Sequence, residues 1–278
     1  MISGNWDAVG VKDERRPGPG GWMGIRDYVR CALAVGEMEG RKLWHDPTEL
    51  LTRALQPALW LVIFGEAMAR LRAIPSGGVP YLTFLTPGIL AQSLMFVAIF
   101  YGLGVIWDRD AGLLQKFLVL PVPRTAFVTG RGLGAGVRAL VQGIIVLGLA
   151  RALGVHLRWT LGGVVGSLAA VVVGAGIFAT LSMLIAIAVK TRERFMGIGQ
   201  VITMPLFFAS NAIYPLSIMP PWLHAVAAVN PLTGVVDLLR GYLVTGHVVH
   251  ALQVWAVLGG ILVGLEALAG RLYHKLAL

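Results

Sequence analysis

The stretch YLTFLTPGILAQSLMFVAIFYGLGVIW, residues 81–107, decides the fold, because it contains no Asp, Glu, Lys or Arg. A helix needs about 20 apolar residues to cross the hydrocarbon core of a bilayer, so this stretch is predicted to span a membrane. The whole chain of 278 residues has the same character, with 56% hydrophobic and 13% charged residues and a mean hydropathy of +0.75. A soluble domain carries about 25% charged residues. We therefore expect an integral membrane protein.

Further apolar runs lie on both sides of this stretch. Together they predict an all-α integral membrane fold with six transmembrane helices, at about residues 51–69, 81–107, 127–150, 161–189, 196–214 and 251–270. The uncharged sequence after span five continues to Val236, and four prolines interrupt it, at positions 215, 220, 221 and 231. Non-helical backbone is tolerated at membrane depth only where it packs in protein or faces water. We therefore expect short non-spanning helices between spans five and six.

The N-terminal region divides into two parts. Residues 1–24 are polar and rich in Gly and Pro, which predicts a flexible cytoplasmic tail. Residues 25–45 alternate charged and apolar side chains at helical spacing, which predicts an amphipathic helix lying on the membrane surface. We assign residues 25–278 to a single transmembrane domain.

The distribution of basic residues predicts the orientation of the chain. With both termini cytoplasmic, 18 of the 23 Lys and Arg lie in inner segments, and the exceptions are Arg70, Arg72, Arg151, Arg158 and Arg240. Basic residues concentrate on the cytoplasmic side of membrane proteins. Arg outnumbers Lys 18 to 5, which is typical of a GC-rich bacterial genome. We expect a multi-pass protein of the bacterial inner membrane with both termini cytoplasmic.

Several kinds of chemistry are excluded or disfavoured. No lysine follows a glycine, so this sequence has no phosphate-binding Gly-Lys-Ser/Thr loop, and no His-Glu pair begins a zinc-protease motif. The net charge of +9 is dispersed in short clusters between apolar runs, which argues against nucleic-acid binding. His247 and His250 have no Asp, Glu or Cys beside them, so we expect no metal site, and Cys31 is the only cysteine.

Two blocks of sequence carry a resemblance to a known family. The first runs from YLTFLTPGILAQSLMF (81–96) through WDRDAGLLQK (107–116) to PVPR (121–124). The second joins AIYPLSIMPPW (212–222) to NPLTGVVDLLRG (230–241). Over residues 25–278 the chain resembles the permease subunits of type-2 ABC transporters, and most nearly their daunorubicin/doxorubicin-resistance branch.

The resemblance implies the composition of a complex. Two permease chains, identical or related, would pair in the membrane, and each would bind one of two cytosolic ATPase subunits. ATP and Mg²⁺ would then lie on the ATPase, with no cofactor on this chain. The expected activity is ATP-driven export of an amphipathic drug, lipid or polyketide, without catalysis by this chain itself.

Other functions remain open at this point. The same family includes exporters of lipid-linked molecules and polysaccharides. A secondary transporter driven by an ion gradient, and a membrane scaffold or channel, are alternatives from other classes. A secondary transporter is expected to show inverted repeats and carboxylates near the midplane, which this sequence does not clearly contain.

Three sets of residues are candidates for function. The segment 108–124 mixes both signs of charge with apolar residues at helical spacing, a pattern that suits docking into a partner's groove. The resemblance implies that it is the coupling helix, with contacts from Asp108, Arg109, Asp110, Gly112, Leu113, Leu114, Phe117 and Pro121. A simple surface-lying loop is the alternative.

The other two sets lie within the spans. A substrate pathway is predicted along spans two and five, lined by Gln92, Ser93, Phe96, Phe100, Phe207, Asn211 and Tyr214. Arg138 and Glu266 lie at matching depths in spans three and six, and charged side chains are costly inside a bilayer. We therefore predict a structural ion pair between them.

Overall fold

A computed structural model describes residues 26, 28–30, 32–34, 36–37, 48–71, 74–111, 124–189 and 191–272. These residues form helices joined by short turns, and they contain no β-strand. The prediction of an all-α membrane fold is confirmed. We number the helices in chain order as α1 to α10.

The first half of the chain supplies two long helical segments and the start of a third. The helix α1 (Thr48–Leu59) continues through a π turn (Trp60–Gly65) into α2 (Glu66–Leu71). Next come α3 (Tyr81–Tyr101) and α4 (Leu103–Asp110), which meet at Gly102, and then α5 (Arg124–Ala152). Pro57 lies inside α1 and supplies no backbone N–H, and the wider π turn begins three residues after it.

The second half contains long helices and several short ones. They are α6 (Leu161–Ala188), α7 (Arg192–Phe208), α8 (Pro221–Val229), α9 (Pro231–Arg240) and α10 (Ala251–Leu272). A 3₁₀ turn (Leu216–Ile218) precedes α8, and a π turn (Gly241–Thr245) follows α9. The short helices occur where the prolines predict them.

Four helical stretches in the described part of the chain are long and apolar enough to cross a membrane. They are Tyr81–Asp110, Thr125–Ala152, Leu161–Ala188 and Ala251–Leu272, which correspond to predicted spans two, three, four and six. A fifth candidate is the bent pair of α8 and residues Pro231–Thr245, which comprise α9 and its π turn, if the pair counts as one span broken by a bend of 81°. The total of six spans stays a prediction.

Predicted span five ends earlier than expected. Its helix α7 stops at Phe208 rather than near Tyr214. The side-chain amide of Asn230 donates hydrogen bonds to the backbone oxygens of Leu206 (2.7 Å) and Ala209 (3.1 Å). These bonds satisfy carbonyl groups that a helix end leaves unpaired, so the chain can turn at this point inside an apolar environment.

The centre of the bundle is formed by α3, α5 and α6, and α9 packs against α3 and α6. Large buried side chains such as Leu85, Ile89 and Phe178 fill the space between them. Two close approaches depend on glycine: Gly102 lies against Ser182, and Gly88 lies against the backbone of Ala212. Small residues allow membrane helices to pack this closely.

A chain of hydrogen bonds links Tyr28 to the helix α10 through α5. The hydroxyl of Thr129 on α5 donates to a carboxylate oxygen of Glu266 on α10 at 3.0 Å. The same hydroxyl oxygen lies 2.7 Å from the hydroxyl of Tyr28. Because Thr129 has one hydroxyl proton and gives it to Glu266, Tyr28 is the donor in the second bond.

Candidate functional site

Charged side chains join three helices at the end of the bundle from which segment 108–124 begins. Asp108 forms an ion pair with Arg131 of α5. Asp110 accepts two hydrogen bonds from Arg192 of α7, at 2.9 and 3.2 Å. Arg109 donates to the backbone oxygen of Val189, which follows α6, at 3.4 Å. We call these five charged residues, 108, 109, 110, 131 and 192, the charged cluster.

The Asp108–Arg131 and Asp110–Arg192 ion pairs of the charged cluster differ in burial. The side chain of Arg131 is 3% exposed and that of Asp108 is 17% exposed, and the guanidinium also lies 5.3 Å from the ring centre of Phe127. Removing one partner of a buried pair costs roughly 3–5 kcal/mol. The pair of Asp110 and Arg192 is more than 40% exposed on both sides, so its stabilising effect is small. The first pair therefore anchors the cluster, while the second is free to rearrange at little cost.

The predicted coupling residues fall partly inside the described chain. Asp108, Arg109 and Asp110 form the last turn of α4 and belong to the charged cluster. Gly112, Leu113, Leu114, Phe117 and Pro121 lie outside the described residues, and their role stays a prediction. The helix continues past the predicted end of span two at Trp107, so these three charged residues extend span two rather than beginning a separate helix.

A cavity of about 340 Å³ lies between α1, α3 and α5. Four of the predicted pathway residues line it together: Gln92, Ser93, Phe96 and Phe100. The phenyl rings of the last two are stacked, with centroids 6.2 Å apart. The other lining residues are Gln56, Pro57, Val97 and Gln142.

Two glutamines give this cavity its polar character. Gln92 and Gln142 are buried, and neither the oxygen nor the nitrogen of either amide has a hydrogen-bonding partner among the described residues. Gln142 lies 11 residues after Arg131 on α5, and Gln92 lies 16 residues before Asp108. These separations correspond to a rise of about 16 Å and about 24 Å, so the cavity lies well away from the charged cluster.

The other three predicted pathway residues do not line this cavity. Phe207 is buried against the ring of Trp60, with centroids 5.4 Å apart. The Asn211 amide donates to Asp237, and its backbone oxygen accepts from Arg240 at 2.9 Å. The hydroxyl of Tyr214 donates to the backbone oxygen of Phe208. Their place in a substrate pathway stays a prediction.

The described contacts place Arg138 and Glu266 beside different neighbours. Glu266 accepts from Thr129, whereas the Arg138 guanidinium lies 5.1 Å from the ring centre of Tyr101. Thr129 and Arg138 are nine residues apart on α5, about half a turn in projection. The predicted ion pair therefore requires Arg138 to reach around its own helix, and it stays a prediction.

Sequence reasoning missed several residues of these sites. Arg131 and Arg192 are not among the candidate residues that the sequence predicts. Gln142 was not singled out, although an uncharged polar residue in the middle of a predicted span is the signal that would have found it. The partners of such residues depend on how the helices rotate against each other, which the sequence does not specify.

These features define a class of protein: a multi-pass helical membrane protein with charged residues gathered at one end of its bundle. The ABC-2 type transporter family model matches residues 32–244, and the chain belongs to this family. It is the membrane subunit of an ABC transporter, and permeases of this kind work with an ABC ATPase partner in general.

Individual relatives agree with this assignment. A putative transport permease, ycf38, from Cyanophora paradoxa is 30% identical over 70% of this chain and 67% of its own length. The daunorubicin resistance ABC transporter permease protein DrrB1 of Streptomyces coeruleorubidus is 25% identical over 75% of this chain and 79% of its own length. A probable doxorubicin resistance permease, DrrC, of Mycobacterium tuberculosis is 27% identical over 83% of each chain. The expected relation to drug-resistance permeases is confirmed.

Proposed function

We propose that this chain is the membrane subunit of an ATP-driven exporter that moves an amphipathic molecule out of the bacterial cytoplasm. It would work as a pair of permease chains with two separate ATPase subunits, and both of its termini would be cytoplasmic. The names of the DrrB1 and DrrC relatives support a drug-like substrate. Family membership favours ATP over an ion gradient as the source of energy.

The charged cluster is the observation that carries this proposal. Asp108, Arg109 and Asp110 are the first residues of segment 108–124, which connects α4 to α5. The charged cluster joins them to α5 and α7. A displacement of this segment by an ATPase would therefore act directly on two further helices. Because the Asp110–Arg192 pair is exposed, it can break and reform during a transport cycle at little energetic cost.

The test places charged side chains on the predicted apolar face of segment 108–124. The variant Leu113→Asp/Leu114→Asp, produced with the ATPase from a neighbouring gene, should lose both ATP-dependent daunorubicin transport into inverted vesicles and substrate-stimulated ATP hydrolysis. Charged side chains cannot enter an apolar groove without a large desolvation cost. The control Leu113→Met/Leu114→Met keeps the face apolar and should retain both activities. The membrane level of each variant should be unchanged.

Three outcomes would overturn parts of the proposal. Unchanged transport and ATP hydrolysis in the aspartate variant would exclude the segment as the coupling element. Transport that continues without the ATPase would exclude an ATP-driven exporter and favour the ion-gradient alternative. Stimulation by a lipid-linked saccharide, with none by daunorubicin, would replace a drug with a glycolipid as the substrate.

A further inference from the structure

We propose that the cavity between α1, α3 and α5 binds the uncharged, hydrogen-bonding edge of a flat apolar molecule, and prefers neutral to cationic ligands. The edge would carry ketone, hydroxyl or amide groups. This inference rests on the proposed function only in taking the bound molecule to be the transported one. The binding itself is a property of this chain alone.

The shape of the cavity suits a fused-ring fragment. Its volume of about 340 Å³ lies at the lower end of the range of roughly 300–1,000 Å³ for small-molecule sites. The stacked rings of Phe96 and Phe100 form one wall, and aromatic rings pack favourably against other flat π systems. Gln56 is exposed and belongs to the lining, so it marks a mouth through which a ligand can enter.

The unpartnered amide groups of the cavity are the reason to expect a ligand that forms hydrogen bonds. A glutamine side chain donates two hydrogen bonds and accepts two, and a buried polar group without a partner is destabilising. Gln92 and Gln142 come from different helices, line one cavity and lack hydrogen-bonding partners within the described part of the chain. Two such amides can satisfy a ketone and a hydroxyl at once, because each offers both donors and acceptors.

Ser93 adds an acceptor to this set. Its hydroxyl donates to the backbone oxygen of Ile89 at 2.7 Å, so its proton is already in use. The remaining lone pairs can accept a hydrogen bond from a ligand hydroxyl. The cavity therefore favours a molecule that carries both hydrogen-bond donors and acceptors.

Electrostatics determine the preference for a neutral ligand. The residues that line the cavity within the described chain are all uncharged. Arg138 lies one helical turn from Gln142 on the same face of α5. Its guanidinium lies 5.1 Å from the ring centre of Tyr101, which follows Phe100 in the sequence. A cationic ligand would lose its hydration without gaining a carboxylate partner, and it would approach a positive charge.

The first experiment compares two probes on the unmodified full-length chain. Daunorubicin carries a protonated amino group at neutral pH, whereas N-acetyldaunorubicin has the same rings and sugar without the charge. Fluorescence anisotropy in lipid nanodiscs, corrected with empty nanodiscs, should give the lower Kd for the N-acetyl probe. A lower Kd for daunorubicin, or no binding of the N-acetyl probe, would overturn the proposal.

The second experiment removes the amides one at a time. The variants Gln92→Leu and Gln142→Leu should each raise the Kd of N-acetyldaunorubicin about fivefold, as expected for one neutral hydrogen bond. The matched control Gln253→Leu changes an exposed glutamine on α10 and should leave the Kd unchanged. Equal Kd values in all three variants would show that the amides do not contact the probe.

Thermal melting without probe separates a binding role from a structural one. Leucine in place of a buried, unpartnered amide should leave the melting temperature unchanged or raise it. A clear fall in both leucine variants would show that the amides hold the fold together, which contradicts the proposal. None of these measurements uses the ATPase, so failure here leaves the proposed function standing, and loss of ATP coupling leaves the binding result standing.

Discussion

Gly88 is a residue at which one methyl group should disturb the packing of the whole bundle. A Cβ built on Gly88 overlaps the backbone carbonyl of Ala212, and a backbone group cannot move aside as a flexible side chain can. The connection after α7 therefore packs against α3 only because position 88 has no side chain. This contact holds the turn at residues 209–213 against the buried helix.

We expect Gly88→Ala to lower the free energy of unfolding by about 1–3 kcal/mol, the usual cost of overpacking. The control Gly148→Ala places a methyl group on α5 where no described atom lies within 4 Å. It should be neutral or slightly stabilising, because Ala favours a helix over Gly. Thermal melting in detergent measures both variants, and equal melting temperatures would contradict the packing described for Gly88.

At the scale of helices, the pair of Asp110 and Arg192 makes the charged cluster testable without disturbing the core. Asp110→Arg places two positive charges together where α4 meets α7, so we expect it to uncouple ATP hydrolysis from transport. The double variant Asp110→Arg/Arg192→Asp restores opposite charges and should recover coupling. Both positions are largely exposed, so melting temperatures should change little.

The measurement is the ratio of daunorubicin transported to ATP hydrolysed in inverted vesicles. Arg194→Asp, an exposed change two residues along α7, serves as the control for added negative charge and should keep the ratio of the unmodified protein. Failure of the double variant to improve on Asp110→Arg would show that the contact does not transmit motion.

Apolar runs were enough to predict the long helices, because a helix that crosses a bilayer needs about 20 predominantly apolar residues. They located Tyr81–Asp110 and Leu161–Ala188 to within a few residues. The end of α7 was missed because it depends on Asn230, which lies 22 residues beyond Phe208 and caps the helix through tertiary contacts. Four of the predicted pathway residues line the cavity from one helix, and their part in a substrate pathway stays a prediction. Gln56 and Gln142 come from other helices, whose rotation the sequence does not reveal.

At the scale of the whole molecule, a second copy of this chain is expected to pack against the exposed side of α7. Val201 is 72% exposed there. In a Cys31→Ser background, Val201→Cys should form a cross-linked dimer with a short bifunctional thiol reagent. The burial of Ser93 and Asn211 within one chain makes both unsuitable for this test.

The matched control is Val263→Cys on α10, which is 66% exposed. Both valines lie nine residues, or about 13 Å, from the end of their helix that carries the charged residues. We expect little cross-linking at position 263, because the pathway is predicted along spans two and five. Equal cross-linking at the two positions would indicate random collision and would contradict an interface at α7.

The hydrogen bonds through Thr129 also have a consequence for the order in which the protein is made. The ribosome releases Tyr28 early, yet the carboxylate that takes the Thr129 proton belongs to Glu266, 137 residues after Thr129. Until that residue emerges, the Thr129 hydroxyl has no carboxylate to bind and its proton can point towards Tyr28 instead. The three-residue chain of bonds from Tyr28 through Thr129 to Glu266 therefore closes only after Glu266 has been synthesised.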